Sequence, residues 1–120
     1  MPFLRRSQDP ARQKVERFEG WWQVAETSPF PNVGGKIEWD AFASGDSEIE
    51  LFAHVPGLPD GSEVAVMWGD VEVMTANARR GVVKRDLETK DGDRIPRLAH
   101  EQVELRHQGV VIARTRLEPD

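Results

Sequence analysis

The sequence predicts a mainly β protein: a seven-stranded antiparallel β-sandwich or barrel with one N-terminal amphipathic helix. Three observations carry this. From Lys36 onward apolar and polar residues alternate, the pattern of strands with one buried face. Turn-forming residues interrupt the alternation at short, regular intervals, as in small all-β domains. The run Val55-Pro56-Gly57-Leu58-Pro59-Asp60-Gly61 crowds two prolines, two glycines and an aspartate between two alternating segments, a rigid strand-to-strand connection.

The helix comes first in the chain. Asp9-Pro10 reads as an N-cap followed by proline at the first helical position. Ala11, Val15, Phe18, Trp22 and Ala25 then recur at spacings of four, three, four and three, one apolar stripe of an α-helix. Gly20 lies inside that stripe, where it costs roughly 1 kcal/mol against alanine, and marks a point where Trp21-Trp22 would start a new element. Ser28-Pro29-Phe30-Pro31-Asn32 ends the segment as a linker. Residues 1–32 are thus read as a helix and proline-rich linker packed on the domain, and residues 33–118 as the β domain.

The first predicted strand puts Ile37, Trp39, Ala41 and Ala43 on one face, and the second does so with Ile49, Leu51, Ala53 and Val55. A two-residue Gly45-Asp46 turn would set Ala41 against Glu50. A three-residue loop keeps both apolar sets together and is preferred. In the next hairpin a Gly69-Asp70 turn pairs Trp68 with Val71, Val66 with Val73 and Val64 with Thr75. It leaves Met67 and Met74 on the second face. A further strand follows over residues 81–87, Lys90-Asp91-Gly92-Asp93 turns, and Ile95-Pro96 continues extended. The last hairpin turns at Gln108-Gly109.

With the turns placed, the chain resembles a loose group of small bacterial all-β modules. The resemblance is carried by Leu58-Pro59-Asp60-Gly61, Gly69, Gly81, Asp91-Gly92, Ile95-Pro96 and Gly109, and covers residues 36–117. It implies an Ig-like or related sandwich with no established activity. Members are often exported or occur as repeats. This chain departs from them in being single, in lacking a signal segment, and in its Trp21-Trp22 region.

Composition narrows the function. A chain of 120 residues with 38% hydrophobic and 31% charged residues suits one globular domain. No apolar run approaches the roughly 18 residues of a membrane span, and Met1-Pro2-Phe3-Leu4-Arg5-Arg6 contains no apolar stretch of signal-peptide length. The expectation is a cytoplasmic protein with no membrane contact. The absence of cysteine excludes disulfides, thiol catalysis and thiolate metal sites. The net charge of −5 is uneven: residues 31–75 set Lys36 against nine acids, whereas the segments before and after are weakly basic. An acidic centre argues against nucleic acid. It suggests acidic and basic strands neutralising one another across a sheet, or head-to-tail association of complementary surfaces.

Catalytic constellations are thin. His54, His100 and His107 lack the close spacing of zinc ligands, so no metal or cofactor is expected. Gly34-Gly35 precedes a strand, not the helix that a phosphate loop requires. Ser44, Ser47 and Ser62 sit in turns without a nucleophile elbow. Glu38, Asp40, Glu48 and Glu50 fall on adjacent strands at separations usable in glycoside hydrolysis, but a solvated acidic sheet face accounts for them as well. Aromatics are the stronger lead. Phe42 and Phe52 fall on the outer face of the first two strands beside His54, a surface too apolar for open water unless the helix covers it with Val15, Phe18 and Trp22. Trp39 and Trp68 alternate with core residues and are expected inside.

The expected function is therefore non-catalytic: a protein-interaction or self-association module binding another protein or a second copy of itself through Phe42, Phe52, His54, Trp21 and Trp22. One alternative is a small-molecule or carbohydrate binder stacking its ligand on tryptophan. The other is a hydrolase using Glu38, Asp40 or Glu50 with His54.

Overall fold

Inward apolar and outward polar side chains alternate along almost every extended segment, and that alternation builds two antiparallel sheets. The computed structural model describes residues 10–120. Pro10–Arg12 form a single 3-10 turn. Ten strands follow: β1 Lys14–Trp21, β2 Gln23–Val24, β3 Gly34–Phe42, β4 Ser47–His54, β5 Glu63–Trp68, β6 Val71–Asn77, β7 Val82–Glu88, β8 Gln102–His107, β9 Val110–Arg116 and β10 Glu118–Pro119. The first sheet has the order β10-β1-β3-β4-β7 and the second β2-β9-β8-β5-β6. This is a sandwich of ten strands where seven were expected. The additional three, β1, β2 and β10, lie together at one side. There β1 pairs with β10 in the first sheet and β2 with β9 in the second.

The N-terminal helix is not formed: among the described residues there is no α-helix, and residues 14–21 are a strand. Phe18, Gly20 and Trp22 point inward at strand spacing, and Phe18 and Trp22 are buried in the common core. A register shift between Lys14 and Glu16 breaks the alternation just there and leaves Val15 exposed, so the spacing imitates a helix. Gly20 has a packing reason. A Cβ at this position would sit 2.5 Å from Thr115 Oγ1 and 2.8 Å from the Arg116 carbonyl, so β1 can approach β9 only as glycine. The expected N-cap, Asp9, lies outside the described residues.

The hairpins follow their turns. The β3–β4 loop is odd in length, pairing Trp39 with Ile49 and Ile37 with Leu51, so both apolar sets face the core. The Gly69-Asp70 turn sets Trp68 opposite Val71 and Met67 opposite Glu72. A bulge between Val66 and Met67 then shifts the register, so Val66 meets Met74 and Val64 meets Ala76, not Val73 and Thr75. Met74 consequently turns into the core instead of standing on the outer face. The proline-rich connection over residues 55–62 carries the chain from the first sheet to the second. Leu58 is buried within it, and the Asp60 carboxylate accepts a 2.7 Å hydrogen bond from the Arg80 amide. The core fills the space between the sheets with Ile37, Ile49, Leu51, Val64, Val66, Val83, Leu98, Leu105 and Ile112, all fully buried. No helix among the described residues is long and apolar enough to cross a membrane.

Candidate interaction face

Because Ile37, Trp39, Ile49, Leu51, Val83 and Leu87 must point inward, the residues between them point outward from the first sheet. Register then lines them up in rows across four strands. One row is Glu19, Glu38, Glu50 and Asp86. The next is Arg17, Asp40, Glu48 and Glu88. On the other side lie Trp21, Lys36, Phe52 and Lys84. Seven carboxylates thus share one face. The acidic strands β3 and β4 are immediate neighbours and are not interleaved with basic ones. Their counter-charges come chiefly from the N-terminal part of the chain.

Lys14 Nζ lies 3.2 Å from Asp40 Oδ2 and 3.4 Å from Glu48 Oε1, and Arg17 Nε is 3.8 Å from Asp40 Oδ1. Lys36 bridges Glu19 and Glu38. Arg12 lies 3.6 Å from Glu88, which Lys90 also approaches at 3.4 Å. Beneath this cover Asp40 is only 1% exposed and Glu48 7%. Their acidities follow. Burial raises the Asp40 pKa, outweighing the neighbouring Lys14 ammonium that lowers it. Burial, aided by a hydrogen bond shared with Glu88, pushes Glu48 up to about 7. Burial also tends to raise Glu88, but the hydrogen bonds from Glu48 and Lys90 prevail and lower it. These opposite directions fit a proton held on Glu48 and shared with Glu88 below about pH 7.

Glu50 and Asp86, facing each other across β4 and β7, have no ion pair or hydrogen bond to their side chains among the described residues. Burial raises the Glu50 pKa, and the charge of Glu38 adds to it. Together with Lys36, Glu38, Phe52 and Lys84 they line a shallow cavity of about 190 Å³. Gly35 allows the backbone under Phe52 to come close, since a Cβ there would lie 2.9 Å from the Phe52 ring. Phe52 is 42% exposed, and two strands away Trp21 is 56% exposed, with Lys36 Nζ 5.2 Å from its ring centroid.

Of the aromatic and imidazole residues expected to bind, Trp21, Phe52 and His54 therefore stand exposed on this one face. Phe42 lies at its far end, buried, with the Arg12 guanidinium 4.2 Å from its ring centroid. Trp22 faces the other way, 4% exposed, where the chain crosses between the sheets. Glu38, Asp40, Glu48 and Glu50 do come together. His54 lies beyond Phe52 in the next row, while His100 contacts Phe18 and Glu118 and His107 contacts Phe30, away from the cavity. Among the described residues no group of three or more histidine, aspartate and glutamate side chains is placed to hold a metal ion.

The sequence reading missed Arg12, Lys14 and Arg17 as the cover of the acidic rows, and Asp86 and Glu88 as their extension. Alternation of Phe18, Gly20 and Trp22 could have revealed the former, since a strand there turns Arg17 and Glu19 outward. The outer face of the second sheet has a different character. Arg106 and Arg114 hold Glu104 between them at 2.6 and 3.2 Å, and Arg116 lies near Glu118 at the margin. No protein-family model matches this chain, and comparison with the curated proteins gives no match.

Proposed function

We propose that this protein is a non-catalytic interaction module that receives a basic, partly apolar segment of another protein on the outer face of its first sheet. The observation that carries the reading is the facing pair Glu50 and Asp86, which form no ion pair among the described residues although Lys36 and Lys84 line the same cavity, beside exposed Phe52. Two neighbouring carboxylates, part-buried Glu50 and exposed Asp86, repel one another, and a guanidinium or ammonium group relieves that repulsion. Phe52 and Trp21 offer apolar area and ring faces for the same ligand. The reading assumes a cytoplasmic setting, with which a cysteine-free chain is compatible. A cavity of about 190 Å³ is smaller than typical small-molecule sites of about 300 Å³ and above, so a peptide laid along the strands fits better than a sugar.

The test is an amide-resolved NMR titration with the synthetic peptide Arg-Leu-Arg-Leu-Arg. Shifts are expected on β4 and β7, with affinity falling as salt rises from about 50 to about 300 mM. The double variant Glu50→Gln/Asp86→Asn is expected to weaken binding about three- to tenfold. Absence of shifts, or shifts confined to the second sheet, refutes the reading. A concentration-dependent mass in light scattering, with the same residues perturbed, would instead identify a second copy as the partner.

A further inference from the structure

β7 is the last strand of the first sheet, with β4 on one side and no strand on the other. Along a strand in an antiparallel sheet, the backbone groups of successive residues point to opposite sides. Val55 N donates to the Gly81 carbonyl at 2.7 Å, so by alternation Val83, Arg85 and Leu87 bond to β4. Val82, Lys84, Asp86 and Glu88 then turn their N–H and C=O groups to the outer edge. The two at the ends are already taken. Val82 exchanges both bonds with Arg79 at 2.9 Å. Glu88 N donates to the Asp93 carboxylate at 3.0 Å, and the Glu88 carbonyl accepts from Asp93 N at 3.3 Å. The backbone donors and acceptors of exposed Lys84 and Asp86, between them, have no partner among the described residues.

The flank beside this edge is open. A cavity of about 260 Å³ is lined by Met74 and Thr75 of β6 and by Arg85 and Leu87 of β7. Arg85 stands in the inward row of Leu51, and its guanidinium donates to the Thr75 carbonyl at 2.6 Å. It ties β7 to β6 on the inner side and leaves the outer backbone groups uncovered. Charge selects the occupant. An added antiparallel strand, about 4.8 Å away, sets one residue opposite Asp86 and another, two positions later, opposite Lys84. Neither side chain has an ion pair among the described residues. A basic residue fits opposite Asp86, in the row of Glu50, and an acidic one opposite Lys84, in the row of Phe52. A second copy of this chain does not fit. Pairing β7 with β7 matches Lys84 to Asp86 but sets Val82 against Glu88, where Arg79 of one copy and Asp93 of the other need the same space.

We propose, on the reading of the first sheet given above, that the partner's segment enters as an added strand antiparallel to β7. It bonds to the backbone of Lys84 and Asp86 and carries a basic residue followed two positions later by an acidic one. Arg79 and Asp93 limit it to about five residues, those opposite 83–87. Its intervening side chains are apolar and point inward, toward Leu87 and the cavity.

The probe is the peptide acetyl-Leu-Arg-Leu-Glu-Leu-amide, added to the full chain and followed by amide hydrogen exchange and NMR titration. Without peptide, the Lys84 and Asp86 amides are expected to exchange at least about tenfold faster than those of Val83, Arg85 and Leu87, and saturating peptide is expected to slow them about tenfold. The peptide should bind about two- to fivefold more tightly than Arg-Leu-Arg-Leu-Arg, which sets an arginine against Lys84, and Lys84→Glu should reverse that order. N-methylation of its arginine and glutamate, whose N–H groups face β7, should remove the protection and weaken binding more than about tenfold. N-methylation of the second and third leucines, whose N–H groups face away, should change affinity less than about twofold. Equal affinity of the two methylated peptides, or exchange at Lys84 and Asp86 as slow as at their neighbours, overturns the added strand. Shifts on β4 and β7 with Arg-Leu-Arg-Leu-Arg in that case leave the interaction reading standing. If neither peptide perturbs β4 and β7, both readings fall.

Discussion

Replacing Glu48 by glutamine should change the pH dependence of stability in one direction only. Glu48 is 7% exposed, faces Glu88 across β4 and β7, and has Asp40 and Glu50 as further acidic neighbours, with Lys14 its nearest cation. Its pKa is pushed up to about 7 in the fold from an ordinary value of 4.5. The folded state therefore holds a proton that the unfolded chain has released between pH 4.5 and about 7. In that window the unfolded state binds fewer protons, so stability falls as pH rises, and the decline ends once Glu48 has ionised above pH 7. At 1.36 kcal/mol per pKa unit the ceiling on this contribution is about 3 kcal/mol, and solvent at the edge of the face reduces it. Glutamine keeps a donor toward Glu88 and never ionises. Urea unfolding followed by tryptophan fluorescence, repeated from pH 4.5 to pH 8.5, should show the two proteins matching near pH 4.5. Glu48→Gln should gain on the parent by about 1 to 3 kcal/mol by pH 8. Burial raises Asp40 and Glu50 too, but both remain in each protein, so the difference curve reports Glu48 together with its effect on its acidic neighbours. A flat difference, or a parent that gains on the variant as pH rises, would show that burial and the bond to Glu88 do not hold the proton.

Two further substitutions probe the frame behind the face. Gly20→Val should destabilise by about 1 to 3 kcal/mol, because its side chain meets Thr115 and the Arg116 carbonyl, whereas Gly34→Ala, with open space around it, should change stability by less than about 0.5 kcal/mol in the same thermal melts. Equal effects would mean that β1 does not press against β9. Leu58→Ala should cost about 2 to 5 kcal/mol in chemical denaturation, since Leu58 is buried where the chain crosses between sheets. A loss under about 1 kcal/mol would show the connection to be a surface turn only.

What could be read in advance, and what could not, divides along the range of the interactions involved. Strand period and turn chemistry are local, and they placed β3 through β9, the inward sets of the first hairpin, and the Gly69-Asp70 and Gln108-Gly109 turns. Bulges were invisible, because the extra residue, Val73 of β6 opposite Val66 and Met67, is tolerated only by the partners that the strand acquires in the fold. The same blindness turned β1 into a helix. The irregularity at Val15 removed one step of the alternation, and Gly20 looked like a helix defect until Thr115 was seen against it. The acidic face shows the consequence for function. Alternation alone put Glu38, Asp40, Glu48 and Glu50 outward. Their reinforcement by Asp86 and Glu88 depends on β7 returning to pair with β4 after the chain has visited the other sheet. The cover of Arg12, Lys14 and Arg17 depends on β1 lying beside β3. A helix over residues 11–25 would carry those three cations off the sheet and leave the acids uniformly solvated. With them on the sheet, the rows divide into a part ion-paired around Asp40 and Glu48 and a part without ion pairs around Glu50 and Asp86, and it is the second that the proposed function assigns to a partner.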